Sequence, residues 1–87
     1  MSLFALGRIV ATSGVTAQVP GVLVDTAIMR HSIGDWGDLD AHDMVENSRA
    51  LATGGRLMSV FHLAEFELWV ITEHDRSVTT VLFPSDY

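Results

Sequence analysis

Five carboxylates fall between positions 35 and 46: Asp35, Asp38, Asp40, Asp43 and Glu46. Clustered hard oxygen donors are the chemistry of Mg²⁺ and Ca²⁺ sites. The spacing departs from an EF-hand loop, which needs ligands at alternate positions, a glycine at the sixth and a glutamate at the twelfth. Asp40 followed by Asp43 matches a helix start instead, where a carboxylate accepts a free backbone N–H and opposes the positive end of the helix dipole. No metal or other cofactor is therefore expected. The histidines, His31, His42, His62 and His74, are scattered and lack the i, i+4 pair of a helical zinc site.

A second polar group is the turn Glu73-His74-Asp75-Arg76. An imidazole oriented by a carboxylate is how general bases are built, and His31 at the end of a helix is placed to meet Asp35 in that way. A histidine there is equally explained by the helix dipole. Arg76, facing many acids, suggests a bidentate pair with Asp35 or Asp38 that would fasten the segment Gly34 to Asp43 onto the turn. The candidate catalytic residues are thus His31, Asp35, Glu73 and Arg76. The candidate binding surface is Trp36, Asp38 and Arg76, because an aromatic on a loop either plugs the core or contacts a partner. Ser77, Thr79 and Thr80 lie near His74 and Asp75, but strand alternation sends Ser77 and Thr79 to one face and Thr80 to the other. No nucleophile elbow, Walker sequence or dinucleotide-binding glycine pattern is present.

The elements that must position these groups follow from hydrophobic spacing and turn chemistry. Leu3 to Ala11 carries β-branched Ile9 and Val10 and reads as a strand ending in a turn at Thr12-Ser13-Gly14. Pro20 suits a first helical turn, so a helix is predicted from about Val19 to Ser32, stopped by Gly34. A glycine-rich connector leads to a second helix that opens at Asp40 and ends at Gly54-Gly55. Arg56 to Leu63, Glu65 to Thr72 and Ser77 to Phe83 alternate as strands. The short links at Ala64-Glu65 and His74-Asp75-Arg76 predict two hairpins, and Pro84 ends the last strand. The expected fold is α+β in the order βααβββ: an antiparallel sheet with a C-terminal three-stranded meander and two helices packed on one face.

Eighty-seven residues make a single domain, 1–87, with 48% apolar residues and 18% charged ones. Such a balance excludes disorder and leaves apolar surface for a homo-oligomer to cover, on the sheet face without helices. The formal charge is −6, and every basic residue is an arginine, spread through the chain at Arg8, Arg30, Arg49, Arg56 and Arg76. This field repels a polyanion, so nucleic acid is not an expected partner, whereas a basic protein is. No cysteine is present, no apolar run reaches the length of a membrane span, and the opening Met-Ser-Leu-Phe-Ala-Leu lacks a basic n-region. A cytoplasmic location without membrane contact is expected.

The residues Arg30-His31, Gly34-Asp35-Trp36-Gly37-Asp38, Asn47, Ala50-Leu51, Gly55-Arg56-Leu57, Ser59, Trp69-Val70-Ile71-Thr72-Glu73, Asp75-Arg76-Ser77, Thr79-Thr80, Pro84 and Asp86-Tyr87 carry a resemblance. Together they resemble a family of small uncharacterised bacterial proteins common on plasmids and other mobile elements. The likeness runs from Met29 to Tyr87, with a looser match from Gly7 to Thr12. Members are often labelled plasmid-related protein, or subunit M of a type I restriction endonuclease. The second label would imply an adenine methyltransferase, whose Asn/Asp-Pro-Pro-aromatic motif has no counterpart here because Pro20 and Pro84 stand alone. The resemblance implies a mobile-element association and specifies no activity.

The leading expectation is a noncatalytic accessory or regulatory module acting by protein contact, of which an acidic decoy for a DNA-binding protein is a narrower form. The alternative is a small enzyme or metal-assisted hydrolase combining His31 as base with Asp35, Asp38, Glu73 and Arg76. Convergence or dispersal of those side chains distinguishes the two.

Overall fold

The computed structural model describes all residues from Met1 to Tyr87, in the order β1 (Arg8–Ala11), α1 (Ser13–Gln18), α2 (Gly21–Ser32), α3 (Ala41–Thr53), β2 (Leu57–Leu63), β3 (Phe66–Thr72), β4 (Val78–Leu82) and a final 3-10 turn (Pro84–Asp86). α1 and α3 start where side chains satisfy free backbone donors, whereas α2 starts after Pro20 without a side-chain cap. Asp40 Oδ1 accepts from the Asp43 N–H at 2.8 Å and opens α3, as the sequence predicts. Gly54, in the left-handed region, closes it. Thr12 caps α1 in the same way through Val15 N–H at 3.4 Å. The predicted turn at Thr12-Ser13-Gly14 is therefore the start of an additional short helix, because capping and turn-forming residues share one chemistry. Val15 and Val19, one helical turn apart, are its buried side.

The fold is α+β, but the sheet is mixed rather than antiparallel. β2, β3 and β4 form the expected meander, with β2 paired from Leu57 opposite Thr72 to Leu63 opposite Phe66 across the two-residue turn Ala64-Glu65. β1 adds beside β4 in parallel, giving the order β1-β4-β3-β2. A tight turn forces antiparallel pairing on neighbours in sequence, whereas three helices and two strands separate β1 from β4 and leave its direction free. Gly7, at φ +66°, brings β1 in: a Cβ there would overlap the backbone of Arg76 and Ser77. The element order is accordingly βαααβββ.

One sheet face carries Ser59, Phe61, Leu68, Val70, Thr72, Thr79 and Val81, all buried. Val15 and Val19 of α1 and Ala27 of α2 complete its apolar core, with Leu23, Val24 and Ile28 packed around them. Phe61 is fully buried at its centre, a burial that stabilises by roughly 2–3 kcal/mol. The opposite face carries Met58, Val60, Trp69, Ile71, Thr80 and Leu82, and Tyr87 packs edge-on against Trp69 with ring centroids 5.6 Å apart. No helix is long and apolar enough to cross a membrane.

α3 does not share the face of α1 and α2; it runs along the free edge of β2. Asn47 Nδ2 donates to Met58 C=O at 2.7 Å and Asn47 Oδ1 accepts from Met58 N–H at 3.2 Å. Two residues on, Val60 N–H donates to Trp36 C=O at 3.1 Å and Val60 C=O accepts from Asp38 N–H at 2.7 Å. Gly37 makes that contact possible, since a Cβ at its φ of +69° would overlap the Val60 carbonyl. The outward groups of Met58 and Val60, which would otherwise invite another strand, are thereby occupied. Asn47→Ala leaves both Met58 groups without partners in a half-buried setting, and a loss of about 2 kcal/mol is expected. Urea denaturation checks this: the midpoint falls while the slope stays constant, and an unmoved midpoint contradicts the role of Asn47.

Candidate functional site

His31 lies on the last turn of α2 and is fully buried, as are Ser59 of β2, Thr72 of β3 and Thr79 of β4. The four side chains form one hydrogen-bonded chain. His31 Nδ1 is 2.6 Å from Ser59 Oγ, His31 Nε2 is 2.9 Å from Thr72 Oγ1, and Thr72 Oγ1 is 2.7 Å from Thr79 Oγ1. Thr79 Oγ1 donates to the Leu6 carbonyl at 2.7 Å.

The far end of this chain decides the position of every proton in it. A carbonyl only accepts, so the Thr79 hydroxyl proton is committed to Leu6. Thr79 must then accept from Thr72, and Thr72 must accept from His31. Nε2 therefore carries the imidazole proton. Burial pushes the His31 pKa down from 6.5 to about 4, so the ring is neutral at pH 7 and its bare Nδ1 accepts from Ser59. All four bonds point one way, from Ser59 to Leu6.

A serine hydroxyl donating to an imidazole is the beginning of a nucleophile–base pair. Here both partners are sealed. Phe4 lies edge-on to the His31 ring at 5.3 Å, and Trp36 lies edge-on at 5.6 Å. Phe4 also stacks on Trp36 at 6.2 Å, and the Arg76 guanidinium stands 5.8 Å from the Phe4 ring centre. Trp36 is half-buried, with its ring against Phe4 and His31.

The other sequence-nominated side chains go to separate partners. Arg30 Nε donates to Asp35 Oδ2 at 2.6 Å and Nη2 donates to Oδ1 at 3.2 Å. Asp35 also accepts from Gly37 N–H at 3.0 Å, and the Arg30 bond, with smaller help from that N–H, holds its carboxyl below the usual range. Asp38 Oδ2 lies 2.7 Å from His62 Nδ1, and this contact raises the imidazole pKa. Glu73 lies 3.6 Å from Arg56. Asp75 binds Ser77 through both the Oγ, at 2.6 Å, and the N–H, at 3.0 Å, so its carboxyl is held low and the Ser77 hydroxyl is occupied.

Arg76 makes no pair with Asp35 or Asp38, contrary to the sequence expectation. Its Nη1 donates to the carbonyls of Gly55, Glu73 and His74, and its Nη2 donates to Ala50 C=O at 3.1 Å. A planar fork reaches several carbonyls at once, here at and just past the end of α3. Arg76 holds the left-handed φ of +61° while doing so. It braces the β3–β4 turn against the end of α3, and Arg30, one residue from His31, takes Asp35. No group of three or more His, Asp or Glu side chains is arranged to hold a metal ion.

Ser59 and Thr72 are the partners that chemistry-led sequence reading passed over. Their signal was a polar residue on the apolar side of an alternating strand: Ser59 between Leu57 and Phe61, and Thr72 two beyond Val70. Away from this network, a cleft of about 170 Å³ opens on the opposite sheet face. Met58 and Ile71 form its floor, Asp43, Glu46 and Asn47 of α3 one wall, and Arg56 and Tyr87 the other. Arg56 Nη1 donates to Tyr87 Oη at 2.8 Å, closing that wall. Comparison with protein-family models, curated proteins and solved structures finds no match.

The buried histidine makes stability depend on pH. Below 6.5 the unfolded chain takes up a proton on His31 that the folded chain refuses until about pH 4. Folding stability is therefore expected to fall by about 3 kcal/mol as pH drops through that window. His62 has the opposite shift; its contribution is complete below 6.5 and is lost only as pH rises through its raised pKa. Urea denaturation at a series of pH values checks this, with His31→Gln as the reference. The wild type loses stability between pH 6.5 and 4 and the variant lacks that slope, whereas parallel profiles contradict the assignment.

Proposed function

We propose that this chain is a noncatalytic accessory or regulatory module that acts by protein contact on a basic partner. The partners already held by the nominated side chains carry this reading. His31 is enclosed with its protons committed, and Asp35, Asp38, Glu73 and Arg76 each join a different structural contact. A catalytic set needs groups that share one accessible point, and here the geometry divides them.

The surface chemistry supports the identity of the partner. Four of the arginines are paired with a carboxylate or with carbonyls, while Asp40 and Asp43 remain exposed at the start of α3. The net charge of −6 attracts cationic segments, and the cleft offers an apolar floor beside one wall that carries Asp43 and Glu46, while Arg56 on the other wall is already paired with Glu73. Such a site accepts the methylene stem and charged head of a lysine or arginine. An acidic decoy of a DNA-binding protein is a special case in which the basic partner is itself a nucleic-acid-binding surface. The mobile-element association and the cytoplasmic location remain parts of this proposal that rest on the resemblance and on composition.

Titration with an arginine-rich synthetic peptide, followed by backbone amide NMR, tests the reading. Shifts are expected at Asp43, Glu46, Met58, Ile71 and Tyr87, weakening as salt screens the charges. Asp43→Lys combined with Glu46→Lys should reduce affinity at least tenfold. Shifts elsewhere, or an affinity unchanged in the double variant, contradict the proposal.

A further inference from the structure

The two edges of the sheet are treated differently. On β2, Asn47 and the connector occupy the outward groups of Met58 and Val60. β1 at the other edge has no such cover. Arg8 donates to the carbonyl of Ser77, just before β4, and Thr12 to that of Val81 in β4, both at 3.0 Å, so by alternation the N–H and C=O groups of Ile9 and Ala11 face away from the sheet. Both residues are exposed, Ile9 to 48%.

An open edge is a template for another strand, and this one is self-complementary in charge. Arg8, at one end of β1, is exposed and is the arginine without a carboxylate or carbonyl partner. At the other end, Thr12 Oγ1 donates to Asp86 Oδ2 at 2.8 Å, and the same oxygen accepts from Phe83 N–H at 3.0 Å. The exposed Asp86 carboxylate therefore stands beside Thr12 with its second oxygen available.

We propose that β1 pairs antiparallel with β1 of a second copy of this chain, about a two-fold axis through Val10. That register sets Ile9 opposite the partner's Ala11, so the outward N–H and C=O groups of both exchange hydrogen bonds. Val10 meets its own counterpart. Arg8 falls opposite the partner's Thr12 and reaches the partner's Asp86, and the symmetry repeats the pair. Arg8 and Val10 share the sheet face that carries Thr80, and Thr12 continues their parity, so the charges meet on one side. The two sheets become one, and the uncovered β1 edge disappears. The inference is independent of the cleft and its basic partner.

Sedimentation equilibrium and amide exchange on the full chain test it. The mass is expected to rise with concentration to that of two 9.5 kDa chains, and the Ile9 and Ala11 amides to become protected in step. Ile9→Pro removes an outward N–H that bonds nothing within one copy, so it should abolish the dimer while the dilute protein keeps its circular dichroism and melting temperature. Arg8→Asp should weaken the dimer at least tenfold. A monomer at every concentration, a dimer indifferent to both substitutions, or a monomer whose β1 edge takes up an unrelated extended peptide would each overturn the proposal.

Discussion

The fold hangs on a hydrogen-bonded chain that can run in only one direction. Because the Leu6 carbonyl cannot donate, the protons of Thr79, Thr72, His31 and Ser59 all fall into line behind it. The chain ties α2 to three strands and to the segment before β1, through side chains that are all fully buried. Buried polar groups specify a structure when every member is satisfied, and no buried side-chain nitrogen or oxygen here lacks a partner. Phe4 and Trp36 then cover the imidazole, which places the connector, and the connector occupies the edge of β2.

Function follows from where this leaves the remaining groups. His31 has its protons committed and its ring enclosed, as a member of the buried network. The ion pairs are committed too: Asp35 serves Arg30 and the Gly37 turn, and Asp38 serves His62. Exposed pairs of this kind add little stability singly, but they hold a short connector in place. What the surface retains for other molecules is negative charge, an apolar-floored cleft and one open strand edge. Under the proposed reading, these are the features through which the chain would meet a partner.

Local features of the structure were legible in the sequence. Asp40 with Asp43, Gly54, the Ala64-Glu65 turn and Pro84 each act within a few residues of themselves, and each has its expected place. Long-range pairing was not. Nothing local distinguishes a parallel β1 from an antiparallel one, because its direction depends on how Gly7 packs against Arg76 and Ser77. Arg76 was expected on a carboxylate because charges attract. The carbonyls of Ala50 and Gly55, at and just past the end of α3, are backbone groups, which residue identities do not display, and they took it instead. The polar residues Ser59 and Thr72 on an apolar strand face were visible, yet their meaning needed the position of His31, far away in sequence.

Nitrogen-15 NMR of the His31 ring, followed from pH 7 downward, bears most directly on the one-way chain. The account predicts a protonated Nε2 and a bare, hydrogen-bond-accepting Nδ1 at pH 7, with no titration until about pH 4. A ring protonated at Nδ1, or one that titrates near 6.5 in the folded chain, would contradict it.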